Sequence, residues 1–245
     1  MAKLAIAPGL GPGGPRFESG HPDQKSLAMN DSNSLAIENF TKLLRDYCEK
    51  TEQSLYISSL IQAVVEYYYY ALASYNLFQE SQKDFEEYAF NRKLSQAEIE
   101  RNNEIIRNKM IATAFGVYTS GRVCLDVCSN LSDFVEEFTR DKALREKLEK
   151  FRKANKEFAL DFIDKRNIVV IHPTQKQNKK CNCFPNKKVE LSGYGTGGLS
   201  FDVVSLITGD ISKEYEIIPY QDLVKLQRYL KELASIYEEF FVKGD

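Results

Sequence analysis

Asp141–His172, DKALREKLEKFRKANKEFALDFIDKRNIVVIH, is the stretch from which the fold of this chain is read. Leu144, Leu148, Phe151, Phe158, Phe162 and Val169 return at helical intervals along one stripe, and the opposite side is rich in Arg, Lys and Glu. That division predicts a surface helix with its back to a core. The helix is expected to begin near Asp141. Pro173 disfavours the α conformation at His172, so the helix should end there.

The same texture extends upstream. From Asn33, Ile37, Phe40, Leu43, Leu44, Tyr47 and Cys48 recur at three- and four-residue spacing. A second apolar run passes through Leu55, Leu60, Ile61, Val64, Val65 and Tyr67–Tyr70, then Leu72, Leu77, Phe78, Phe85 and Tyr88. Four consecutive tyrosines cover every face of a helix. They suit a central helix whose hydroxyls reach water or buried partners, or a platform for stacking bases. Ser95-Gln96-Ala97-Glu98 reads as a capping box opening a new helix, with Ile99, Ile105, Ile106, Met110, Ala114, Val117, Val123, Leu125 and Val127 as its apolar residues and Asn130 as its end. Gly116 and Gly121 suit a close helix contact or a kink. Cys124 and Cys128 share a face; two ligands do not make a metal site, so they read as packing.

Downstream the period changes. Val189–Leu191, Leu199–Leu206 and Tyr215–Ile218 have β-type composition and are separated by Gly193-Tyr194-Gly195-Thr196-Gly197-Gly198 and by Gly209-Asp210. This predicts an antiparallel hairpin or three-stranded meander. The glycine cluster lacks a following helix and reads as a turn, not a dinucleotide fingerprint. Pro219 then opens a last helix with Leu223, Leu226, Leu230, Leu233, Ile236, Tyr237 and Phe240 as its stripe. The fold class is therefore mainly α: an antiparallel helical bundle with a small antiparallel β insertion before the last helix. Residues 1–32 form a flexible Pro/Gly-rich leader. Residues 33–245 form one helical domain that includes a basic loop at 174–188 and the β insertion at about 187–218.

Composition bounds the function. The chain has 245 residues, 43% hydrophobic and 28% charged, which is enough for a substantial core. A net charge of −2 does not make the whole surface a nucleic-acid magnet. Five cysteines, an odd number without a disulfide framework, suggest reduced thiols in a cytoplasm. No apolar run approaches the ~20 residues of a membrane span, so no membrane partner is expected.

The chain has two histidines, His21 in the leader and His172. Imidazole alone titrates near neutrality unperturbed, so His172 is the obvious carrier for proton transfer. Arg166 and Asn167 lie just upstream. A base or acid, a cation for developing negative charge and a polar orienter together suit work on a phosphodiester. On a regular helix Arg166 and His172 stand about 120° apart, so an unwound His172 or a second copy of the site would have to complete the group. The structural alternative pairs Arg166 with Asp161 or Asp164 and leaves His172 as a cation at a helix C-terminus. From Lys165 to Val189 there is no Asp or Glu, while Lys165, Arg166, Lys176, Lys179, Lys180, Lys187 and Lys188 supply seven positive charges. A phosphate-contacting loop and a solvated basic loop both fit that run. Cys181 and Cys183 with His172 match no common zinc spacing, so no metal and no cofactor are expected.

Arg-Asn, four residues, then His at the close of a helix in an all-α chain resembles the signature of the HEPN superfamily. Arg166, Asn167 and His172 match its three positions, and the helical segments from about 34 to 173, with the last helix, fit its antiparallel bundle. The resemblance implies a metal-independent endoribonuclease of the toxin–antitoxin or phage-defence kind. It implies a homodimer with two motifs facing each other, and an antitoxin or other regulatory protein as partner. In that setting His172 activates the ribose 2′-hydroxyl or protonates the leaving 5′-oxygen, Arg166 stabilises the pentacoordinate phosphate, and Asn167 positions the phosphate or the histidine. Lys165, Lys176, Lys179, Lys180, Lys187 and Lys188 are the RNA-binding candidates. Other members of the superfamily are non-catalytic scaffolds for nucleotide or protein binding, which is the competing expectation.

Overall fold

The computed structural model describes residues 54–89, 94–174 and 187–241. The leader at 1–32, the helical pattern at 33–48 and most of the basic loop lie outside them. The described residues form α1 (Ser54–Ala89), α2 (Gln96–Thr139), α3 (Lys142–Ala154), α4 (Lys156–Thr174), β1 (Lys187–Gly195), β2 (Gly198–Ser205), β3 (Ile211–Ile217) and α5 (Pro219–Phe241). This is the mainly α architecture expected, with a small sheet before the last helix.

The two long helices form an antiparallel hairpin. On α1, Ile57, Ile61, Val64, Tyr68, Ala71, Tyr75 and Phe78 are buried at steps of four and three, the spacing that keeps one face on a neighbouring helix. Contacts along the hairpin fix its direction and register. The Tyr56 ring meets Phe134 edge to face at 4.9 Å, the Cys124 thiol donates to the Val64 carbonyl at 3.5 Å, and Lys109 pairs with Asp84 at 2.8 Å. A Cβ on Gly116 would strike the Ser74 side chain, so glycine there lets the helices approach. The expected capping box opens α2: Glu98 N–H donates to Ser95 Oγ at 3.4 Å, and Ser95 N–H donates to Glu98 Oε2 at 2.8 Å.

Three helix boundaries differ from the sequence reading. Helix α2 does not stop at Asn130. Leu131, Ser132 and Val135 carry its buried stripe onward, and it ends at Arg140, whose left-handed backbone (φ 52°) lets its N–H reach the Glu136 carbonyl at 3.2 Å. The expected continuous helix over Asp141–His172 is two helices. Asn155 interrupts it, with its backbone N–H and side-chain Nδ2 both donating to the Phe151 carbonyl at 3.0 Å; such local side-chain bonds compete with the helical ladder. Helix α4 also continues through His172 and Pro173 to Thr174. Pro173 forfeits one i to i−4 bond, and the described helix runs through it.

The strands make an antiparallel meander in the order β1-β2-β3. Gly195 pairs with Gly198 across a turn of Thr196-Gly197, so the expected turn is there but is shorter than the glycine cluster, whose Gly193, Tyr194, Gly195 and Gly198 belong to the strands. Gly198 has φ +134°, and a Cβ there would collide with the Ile217 carbonyl. Leu199, Phe201 and Val203 alternate inward along β2 and join Tyr215 and Ile217 of β3 in the core. The Phe85 ring meets Tyr194 at 5.6 Å, and Gln82 Nε2 donates to the Thr196 carbonyl at 2.5 Å, seating the sheet on the end of α1. Helix α5 opens at Pro219 and buries Leu223, Leu226, Tyr229, Leu230, Leu233 and Tyr237. Its Tyr229 ring lies 4.7 Å from Phe151 and 6.1 Å from Phe158, so α5 packs across both halves of the interrupted helix. No helix among the described residues is long and apolar enough to cross a membrane.

Candidate functional site on helix α4

Helix α4 is held in place by Phe162. Its ring is fully buried, lies 5.1 Å from Tyr118, and occupies the space above Gly121, where a Cβ would come within 2.5 Å of the ring. Ile168 and Val169 are buried with it. Lys165 falls one turn beyond Phe162 on the same side and points inward.

That lysine enters a buried polar cluster. Asp222, in the first turn of α5, is 1% exposed. Lys165 Nζ lies 2.9 Å from both Asp222 carboxylate oxygens and 2.9 Å from Asp161 Oδ2. Tyr118 Oη donates to Asp222 Oδ2 at 2.5 Å, and Lys225 approaches Oδ1 at 3.5 Å. Burial pushes the Tyr118 hydroxyl well above the usual tyrosine range, and the negative charge of Asp222 adds to the shift. Burial alone would lower the Lys165 ammonium, but Asp222 and Asp161 outweigh it and hold the group above the usual lysine range. Lys165, one of the RNA-binding candidates, is thus engaged with the buried Asp222 and the partly exposed Asp161.

The next two residues are arranged differently. Arg166 and Asn167 are partly exposed, and Arg166 Nη1 donates to Asn167 Oδ1 at 3.1 Å. Asp161 and Asp164, five and two residues before Arg166 and so off its helix face, pair with Lys165 and with Lys213 of β3, the latter at 3.7 Å. Among the described residues Arg166 forms no ion pair. Its guanidinium is therefore oriented by a neutral amide, with its charge left uncompensated by those carboxylates.

His172 lies on the same helix by backbone; its side chain is outside the described structure. Six residues of regular helix separate its position from Arg166 by about 9 Å along the axis and about 120° around it. The structure brings Arg166 and Asn167 together and gives position 172 a helical backbone. Lys176, Lys179 and Lys180, with Cys181 and Cys183, lie outside the described residues. Lys187 is half-buried at the start of β1, and Lys188 is exposed and pairs with Glu190.

Of two other candidates, the cysteine pair resolves into packing, and the tyrosine run is divided between core and surface. Cys124 and Cys128 are fully buried free thiols; a hydrogen bond with the Cys124 thiol, together with burial, pushes the Cys128 thiol well up. Of the four tyrosines, Tyr68 is buried and pushed up to about 12 by burial and by its Cys124 and Tyr69 neighbours, while Tyr69 and Tyr70 are exposed.

Sequence reasoning missed Asp222 as the centre of a buried network. The signal was present. Asp222 begins the series Asp222, Leu226, Tyr229, Leu233 on the apolar side of α5, and Lys165 interrupts the series Phe158, Phe162, Val169 on α4. Two opposite charges on two core-facing stripes are the pattern of an internal ion pair. Comparisons with protein-family models, curated proteins and solved structures yield no match to this chain.

Proposed function

We propose that the chain is a metal-independent endoribonuclease of the HEPN type acting through Arg166, Asn167 and His172. The observation that carries this reading is the state of Arg166. Asp164 and Asp161 precede it by two and five residues, spacings that do not face it on a helix; both are engaged by lysines, and the arginine meets Asn167 instead. A cation held by a neutral partner on a partly exposed helix face is available to a phosphate.

In the proposed reaction the His172 imidazole removes the proton from a ribose 2′-hydroxyl. The 2′-oxygen attacks the adjacent phosphorus, Arg166 offsets the charge on the equatorial oxygens, and the P–O5′ bond breaks as the 5′-oxygen takes a proton from a histidinium, that of this His172 or of the second chain's copy. The products are a 2′,3′-cyclic phosphate and a 5′-hydroxyl. Position 172 and Arg166 diverge around the helix by about 120°, which favours a composite site in which a second chain supplies the missing partner. Lys176, Lys179, Lys180, Lys187 and Lys188 would follow the RNA backbone beyond the motif. The test is incubation of the purified protein with RNA and chelator beside its Arg166→Ala variant. A 2′,3′-cyclic phosphate made by the parent and not by the variant supports the reading. Equal cleavage by both removes Arg166 from it.

A further inference from the structure

Strand β3 is an open edge of the sheet. Among the described residues only β2 pairs with it, and Ile211, Ser212, Lys213, Glu214 and Glu216 are exposed. The register with β2 shifts at Ser212, whose Oγ donates to the Val203 carbonyl at 2.8 Å, so the regular stretch is Lys213–Ile217. Along its far side, which meets no other strand among the described residues, alternate N–H and C=O groups form a template for one more strand.

The side chains decide what can add there. Tyr215 and Ile217 turn into the core, and Glu214 and Glu216 alternate with them on the opposite face. Glu190, Asp202 and Glu214 stand opposite one another across the three strands, so an acidic row runs out to the edge. Lys188 engages Glu190 and Ser192 Oγ donates to Asp202 at 3.0 Å, while Glu214 and Glu216 form no ion pair among the described residues. These charges oppose a second copy. Opposite residues of an antiparallel pair share a face, so a two-fold pairing of β3 with itself must centre on one residue. Centred on Lys213, Glu214 or Glu216, it sets that charge against its own copy. Centred on Tyr215, it sets Glu214 against Glu216 twice. Ile217 ends the strand and leaves too little overlap. Like charges directly opposite are destabilising, so each of the charged registers is disfavoured.

We propose that the β3 edge takes up an extended basic segment of a partner protein as a fourth, antiparallel strand. Two Lys or Arg residues separated by one position would stand opposite Glu216 and Glu214, and the residue between them would lie opposite Tyr215. The glutamates that exclude a second copy are the ones such a strand would satisfy, so the same pair both rejects and selects. Backbone bonds along the edge give affinity, and the alternating side chains give specificity. This inference is independent of the RNA reading of α4.

The experiment titrates the full chain with a fluorescein-labelled peptide, Thr-Val-Lys-Val-Lys-Val-Thr, and with its counterpart carrying glutamate at both lysine positions, followed by fluorescence anisotropy. The lysine peptide should bind, and the glutamate peptide should bind about tenfold more weakly or worse, because two cross-strand pairs change from opposite to like charge. Glu214→Lys combined with Glu216→Lys should reverse that order, with the helical circular dichroism retained. On the unaltered protein, N-methylation of one alternate set of amides in the lysine peptide should abolish binding and N-methylation of the other set should be tolerated, because only one set faces the edge. Equal binding of the two peptides, equal effects of the two methylated sets, or no binding of the lysine peptide would each overturn the proposal.

Discussion

Replacing Asp222 by alanine should destabilise the protein more than any other single polar substitution among the described residues. The carboxylate is 1% exposed and accepts from Tyr118 at 2.5 Å and from Lys165 at 2.9 Å through both oxygens. Without it the Tyr118 hydroxyl is left buried with no acceptor, a loss of about 1–3 kcal/mol. Breaking a buried ion pair by removing one member costs about 3–5 kcal/mol. Lys165 keeps Asp161 at 2.9 Å, and the two losses share one carboxylate, so they do not add in full. The expected total is about 4 kcal/mol, or roughly 8–16 °C in Tm for a chain of this size. Tyr118→Phe should cost less, about 1.5 kcal/mol, because it removes a donor and leaves Lys165 paired. Lys165→Met combined with Asp222→Leu should recover much of the loss, since replacing both members of a buried pair by apolar groups is often nearly neutral. Urea unfolding followed by far-ultraviolet circular dichroism measures all three. A loss below about 1 kcal/mol for Asp222→Ala would refute the reasoning, and so would a double variant less stable than Asp222→Ala.

Other outcomes follow from the same contacts. Gly121→Val should cost about 1–3 kcal/mol by urea unfolding, because even a Cβ would lie 2.5 Å from the Phe162 ring, and Phe162→Ala should cost about 3–5 kcal/mol. Ser95→Ala removes the α2 capping box and should lower stability by about 1 kcal/mol in the same assay. Stability should fall on the alkaline side. Lys165 and Tyr118 are raised in the folded protein, and Tyr68 and Tyr75 are raised to about 12. A raised group contributes fully below its unfolded pKa, about 10 for both residue types, and that contribution is lost as pH climbs toward the folded value. Urea midpoints should therefore hold level to about pH 9 and decline above 10; a midpoint unchanged at pH 11 would contradict this.

Much of the fold is legible in the sequence because its signals are local and repeated. The Ser95–Glu98 box marks a helix start, the stripes of α3 and α5 name their buried residues, and the glycine turn sets β1 against β2. Boundaries were less legible because they depend on single residues that two effects contest. Asn155 could continue a helix or turn its amide onto the Phe151 carbonyl, and Asn130 could end one or be carried through by Leu131 and Val135. In the candidate site, Arg166 and Asn167 were legible as a pair by adjacency. The engagement of Lys165 was not, because its partner Asp222 lies 57 residues away and only the packing of α4 on α5 brings them together. A run of basic residues read along the chain conceals which of them turns inward.

The central claim is that the α4 motif cleaves RNA without a metal. Its most direct measurement is the 2′,3′-cyclic phosphate released from RNA in excess EDTA by the purified protein and by His172→Ala. The account predicts cleavage by the parent, retained in chelator, and its loss in a variant whose melting temperature stays within about 2 °C, as expected for a substitution of about half a kcal/mol near a helix end. Cleavage that chelator abolishes and Mg²⁺ restores would contradict it, as would undiminished cleavage by folded His172→Ala or no cleavage by the parent protein.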